Sequence, residues 1–138
     1  MADILYTSFK RDIQNGSIDL DTDTVKVMLV TSAYTPSASH AKRSDITNEV
    51  VGTGYTAGGA TLSTPTVTNS GTTGVFDGAD VAWTGSTITA RGAVLYKSRG
   101  GLSSADELIA YIDFGTDKTS TSGTFTIQWN AGGILVLS

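Results

Sequence analysis

Cysteine is absent from this chain of 138 residues. No disulfide scaffold and no cysteine–zinc centre can form, so a buried apolar core has to supply the stability. Charge is scarce as well: 16% of residues are charged, with nine Lys and Arg against thirteen Asp and Glu, for a net charge of −4. Nucleic-acid binding requires clustered cations to neutralise phosphates. Here the only adjacent basic pairs are Lys10-Arg11 and Lys42-Arg43. No apolar run approaches the ~20 residues of a membrane-spanning helix. The opening Met1-Ala2-Asp3-Ile4-Leu5 lacks the basic stretch and long apolar segment of a secretory signal, so the expected site of synthesis is the cytoplasm of the producing cell.

Polarity comes instead from Thr, Ser and Asn, with 16 Gly. Threonine suits a pleated surface and glycine supplies tight turns, so the composition points to a β-rich protein. The length fits one domain spanning residues 1–138, which can bury roughly two-thirds of its unfolded surface.

The clearest pattern runs from Val75 to Ser138 as short strands joined by turns. Phe125-Thr126-Ile127-Gln128-Trp129 alternates apolar and polar residues, as a half-buried strand requires. Ile88 to Lys97, Glu107 to Phe114 and Ile134 to Leu137 read as further strands, with turns at Ser98–Gly101 and Thr116–Gly123. Val25 to Val30 is apolar on both faces and belongs at the centre of a sheet. Pro65 demotes Thr61–Thr68 to an edge. Leu5, Phe9 and Ile13 recur every four residues and predict one helix over residues 3–15, capped by Asp3 and stopped at Asn15-Gly16. The stretch from Ser32 to Gly59 lacks periodicity apart from a possible helical turn at Ser44–Glu49; a loop of that length is usually functional or mobile. Seven or eight strands predict an all-β fold, an antiparallel β-sandwich of jelly-roll type with one short N-terminal α-helix.

Residues with chemical potential are few. Asp19, Asp21 and Asp23 open like a calcium loop, but Thr24 stands where the loop glycine belongs and Val30 where the closing glutamate belongs. His40 is the sole histidine, and a Ser–His–Asp site would have to draw on Ser37, Ser39 and Asp45 around it. Gly52 to Gly59 is glycine-rich yet lacks the Lys-Ser/Thr ending of a phosphate loop, and so reads as a flexible surface loop. Asp77, Asp80, Asp106, Glu107 and Asp113 are the carboxylates from which a glycosidase pair could be drawn; turn and rim positions explain them more simply. Trp129 is assigned to the core, with Trp83 open between core and an exposed platform. The expectation is a non-enzyme with no catalytic residue, no metal and no cofactor.

Several stretches together carry a family resemblance. Ser8-Phe9-Lys10-Arg11-Asp12-Ile13, Gly16 to Val27, Asp45 to Val50, Gly54 to Ala60, Thr87 to Tyr96 and Phe125 to Trp129 are similar to small virion proteins of tailed bacteriophages. The resemblance spans most of the chain and carries no catalytic fingerprint. It implies a capsid decoration, or cement, protein that binds the major capsid protein on the outside of the head. It further implies a homotrimer localised to the virion, with no nucleic-acid or membrane partner. The alternative it leaves open is a head-fibre, tail or receptor-binding virion protein. Residues singled out for capsid or subunit contact are Leu5, Phe9 and Ile13, if the helix does not pack on its own subunit, together with Lys42 and Arg43 and the Ser32–Gly59 segment.

Overall fold

The computed structural model describes residues Asp3 to Ser138. In chain order they form β1 (Ile4–Leu5), α1 (Thr7–Asp12), β2 (Val25–Val30), β3 (Ala60–Thr61), β4 (Thr66–Ser70), β5 (Thr73–Asp77), β6 (Val81–Lys97), β7 (Leu108–Ile127) and β8 (Leu135–Leu137), with 3-10 turns at Arg43–Asp45 and Ser103–Ala105. One sheet has the order β1-β7-β6-β2-β3 and the other β4-β5-β8, and every pairing is antiparallel. The expected all-β, sandwich-like architecture with one short helix is therefore what the chain adopts.

The largest unit is the β6–β7 ribbon. At its root, Gly92–Tyr96 of β6 pairs with β7 on one side and with β2 on the other. There both faces are buried. Val27, Leu29, Ala93, Leu95 and Ile109 look into the main core, while Met28, Val30, Val94, Tyr96 and Tyr111 build a second cluster on the opposite face. Towards its far end the ribbon becomes half-buried. Val81, Trp83, Ile88, Phe125 and Ile127 point inward, and Ala82, Thr84, Thr87, Thr89, Thr124 and Thr126 point to solvent. The period-two alternation is thus the record of a strand pair wetted on one face.

Bulges bend this ribbon. The register shifts between Trp83 and Ser86, between Ser86 and Ile88, and between Ala90 and Gly92. Gly85, Gly115 and Ser122 lie in the left-handed region at φ 56°, 81° and 46°. The fully buried Ser86 hydroxyl holds the bend, donating to the Trp83 carbonyl at 3.0 Å and meeting Ser120 Oγ at 2.7 Å. Thr116–Gly123, expected as a turn, is strand for this reason: the segment absorbs bulges within β7 and does not reverse the chain.

Other boundaries also move. The helix occupies Thr7–Asp12 and not residues 3–15. Ile4 and Leu5 pair with Tyr111 and Ala110 of β7, and Asp3 accepts the Asp113 N–H at 2.8 Å instead of capping the helix. Six helical residues are too few to hold alone, and a pairing to a strand over a hundred positions away takes precedence locally. Gly16 does adopt a left-handed turn, at φ 82°. The expected helical turn at Ser44–Glu49 is the shorter 3-10 turn at Arg43–Asp45. Pro65 splits Thr61–Thr68 between two edge strands, β3 and β4.

Two substitutions test this packing. Phe9 is fully buried in the main core. Phe9→Ala should therefore cost about 3–5 kcal/mol in thermal or denaturant unfolding. Gly59 sits at φ 79°, and a Cβ there would collide with the Val27 carbonyl. Gly59→Ala should detach β3 from β2 and lower the melting temperature well beyond a surface change such as Gly100→Ala, where space is open.

Candidate interaction surfaces

Most charged side chains that might do chemistry are bound to one another. Arg43 Nε donates to Asp106 Oδ2 at 2.8 Å, and its guanidinium lies over the Tyr96 ring with 5.3 Å to the centroid. Asp106 also accepts the Arg99 N–H at 2.9 Å. Arg99 grips Glu107 with both Nε, at 2.8 Å, and Nη2, at 2.6 Å. That two-pronged hydrogen bond holds the Glu107 carboxyl below its ordinary range. Lys97 Nζ reaches Asp23 at 2.9 Å and the Ser17 carbonyl at 2.7 Å.

The Asp19–Asp23 stretch is closed on itself. Asp23 accepts the Asp19 N–H at 2.7 Å, and Asp19 accepts the Asp21 N–H at 3.0 Å. Among the described residues, no three His, Asp or Glu side chains converge as a metal-binding group. The remaining carboxylates have local tasks. Asp77 accepts the Gly78 N–H, Asp80 the Trp129 N–H and Asp113 the Gly115 N–H.

His40 joins a chain of hydroxyls and not a nucleophile. Its Nδ1 lies 2.8 Å from Tyr34 Oη, which lies 3.0 Å from the buried Tyr6 Oη. Burial pushes the Tyr6 phenol far up, with the Tyr34 hydrogen bond adding to it. Ser37 and Ser39 bond each other, and Asp45 is spent on the backbone N–H groups of Ala41 and Lys42 at 2.9 and 3.0 Å. Those two donors lower the Asp45 carboxyl.

The glycine-rich loop is pinned, contrary to the flexible surface loop expected. Glu49 accepts the Tyr55 hydroxyl at 2.6 Å and the Gly58 N–H at 2.7 Å. Tyr55 Oη in turn accepts the Leu29 N–H of β2 at 2.9 Å, and Tyr96 Oη donates to the Gly58 carbonyl. Burial drives the Tyr55 phenol upward, and pushes that of Tyr96 to about 12. The whole Ser32–Gly59 stretch acts as a cover: Tyr34 and Ile46 close the second cluster, while Val50 enters the main core.

Leu5, Phe9 and Ile13 all turn towards the main core, with Phe9 fully buried and the other two half-buried. Lys42 and Arg43 lie at the 3-10 turn, where Lys42 bridges to Glu107 through the backbone and Arg43 is held by Asp106. The structure thus does not bring the two groups into one patch.

Open surface lies elsewhere. Val67 on β4 is 49% exposed, and Val136 and Leu137 on β8 are 54% and 49% exposed, all on the small sheet. All five residues of β4 face solvent. A cleft of about 450 Å³ runs along the outer edge of β7, between Thr124–Asn130 and Gly133–Ile134. Its apolar lining comes from Ile112, Phe114, Phe125, Ile127, Trp129 and Ile134. Trp129, assigned to the core from sequence, packs only at its margin, with Nε1 donating to the Ala79 carbonyl at 2.8 Å; Trp83 is the buried one, at 6% exposure. Asp3 and Lys118 also border the cleft; the sequence signal of the region is that no Asp, Glu, Lys or Arg occurs from Thr119 to Ser138 or from Leu62 to Phe76.

Compared with protein families, with curated proteins and with solved structures, the chain matches none.

The ion-pair geometry predicts an acid-sensitive fold. Glu107 and Asp45 have depressed folded pKa values, so their stabilisation is present above the unfolded values near 4 and is lost as pH falls through the folded ones. Melting temperature should fall on acidification below about pH 4.5. Glu107→Gln should lower it at pH 7 and flatten that acid slope, as read by thermal denaturation between pH 7 and pH 3.

Proposed function

We propose that this chain is a capsid decoration protein of a tailed bacteriophage, a non-enzymatic cement that binds the major capsid protein on the outer surface of the head. The observation that carries the reading is that the body locks ions in internal pairs, whereas two stretches with open surface, Leu62–Phe76 and Thr119–Ser138, carry no charge. The body holds its ions in Arg43–Asp106, Arg99–Glu107 and Lys97–Asp23 pairs. The two stretches include β4, β8 and the far end of β7, with Val67, Val136 and Leu137 open to solvent. A neutral, partly apolar surface on a rigid β-frame suits docking to another protein, because no charge has to be desolvated. The resemblance of Asp45–Val50, Thr87–Tyr96 and Phe125–Trp129 to phage virion proteins supplies the setting.

The physical effect is mass action. A protein that binds the assembled shell and not its free subunits favours the assembled state. Repetition over a symmetric lattice turns weak single contacts into large total stabilisation. A homotrimer would present three such faces at once.

Quantitative mass spectrometry of purified particles, against the major capsid protein, tests the reading. The expected result is a fixed stoichiometric ratio with copies spread over the whole shell, and heads that lack the protein breaking at lower temperature. A handful of copies per particle would place it in a fibre, tail or receptor-binding role and overturn the cement reading.

A further inference from the structure

The cleft beside β7 has an unusual lining: Thr124, Phe125, Thr126 and Ile127 at the end of the strand and Gln128 directly after it are consecutive, yet all border it. Side chains of a strand alternate between faces, so five in a row can share one cleft only if the cleft looks onto the strand's edge. That edge is open. Among the described residues β1 is the sole strand on this side of β7, and it reaches only Ala110 and Tyr111. The main-chain donors and acceptors beyond Asp113 therefore border a groove walled by Phe114, Trp129 and Ile134.

The same chain carries a second open edge. β4 is the outermost strand of the small sheet, five residues long, wholly exposed, with Val67 as its one large apolar side chain. Proteins blunt such edges with charge, proline or bulges, because open edges template strand pairing. β4 and the Thr119–Ile127 part of β7 hold no charge, in a chain with 22 charged residues elsewhere; Asp117 and Lys118 come just before that part of β7. Pro65 lies before β4 and leaves its five residues free to pair. β4 and the Thr124–Ile127 part of the β7 edge are both neutral, so those two segments can pair without burying an ion or opposing like charges, while Asp3 and Lys118 stand among the other residues that line the cleft.

We propose that β4 of one copy adds to the open edge of β7 in a second copy, with Val67 entering the apolar cleft. The contact joins two different surfaces, so each copy keeps one free β4 and one free cleft. Repetition then closes a ring, or continues as a filament if the rotation does not close. This inference concerns self-assembly: in a closed ring β4 and the β7 edge are spent between copies, which leaves Val136 and Leu137 of β8 as the open apolar part of the capsid-docking face, and its test does not depend on whether the assembly decorates a capsid.

Light scattering of the full chain over a concentration series is the first readout, with a mass that is a multiple of 14.3 kDa expected. Val67→Lys and Gln128→Lys place a charge on each edge at exposed positions, so melting should be unchanged while the mass falls to that of one chain. The absence of native cysteine makes a pairing test clean. A short bis-maleimide should link V67C protein to T126C protein when the two are mixed, and give no dimer with either alone. Three outcomes would overturn the proposal: a wild-type chain of single-copy mass at every concentration, an oligomer indifferent to both lysine variants, or V67C linking to itself, which would mean a β4–β4 contact.

Discussion

The antiparallel pairing of β6 with β7 is the constraint on which the other features depend. It runs from Val81–Ile127 at one end to Tyr96–Leu108 at the other, and it serves two environments along its length. At the root it is the middle of a sheet with apolar clusters on both faces; at the far end it is a two-stranded ribbon with one wet face. Bulges reconcile the two, since an extra residue in one strand bends the ladder without breaking it. Ser86 is the residue on which the bend turns, because its buried hydroxyl satisfies groups that the interrupted ladder leaves over. The open edge of β7 follows from the same geometry: β1 pairs with two positions, and no other described strand pairs with the rest.

A protein with few charges has used them mainly for internal structure. Arg43, Arg99 and Lys97 each hold a carboxylate from another part of the chain, and Glu49 ties Tyr55 and Gly58 to the β2 layer. Low exposure raises the worth of such contacts and also makes an unpaired member costly, so these networks fix conformation. The long Ser32–Gly59 stretch is held by them over the second apolar cluster and behaves as a lid without helix or long strand. Along β4 and the far end of β7, what remains outside is mostly threonine and serine with a few aliphatic side chains.

This arrangement connects fold to proposed role. A decoration protein has to be rigid, because flexibility in each copy would weaken the benefit of many copies acting together. Rigidity here comes from the core and the locked ions, and under the proposed role adhesion falls to the open strand edges. Strand addition between copies would join the two requirements, since it extends the same hydrogen-bonded ladder from one chain into the next.

Much of this was legible in the chain itself. The alternation in Phe125–Ile127 and Ile88–Lys97 reports strand and buried face, because the side-chain period of a strand is a local property, whereas Gln128 and Trp129 lie beyond the strand. The apolar run Val25–Val30 reports a central strand, and Pro65 reports an edge. Function was legible only as a resemblance. Tertiary structure decided the rest. Asp3, Ile4 and Leu5 left the helix for β7; Thr116–Gly123 became strand; Trp83, left open between core and platform, is buried, while Trp129, assigned to the core, packs at its margin. Glu49, Tyr55 and Tyr96, from three separate stretches, turned a glycine-rich loop into a fixed one. The reason is the same in each case: periodicity reads a residue against its neighbours in sequence, whereas edges, bulges and buried hydrogen bonds are settled by partners tens of residues away.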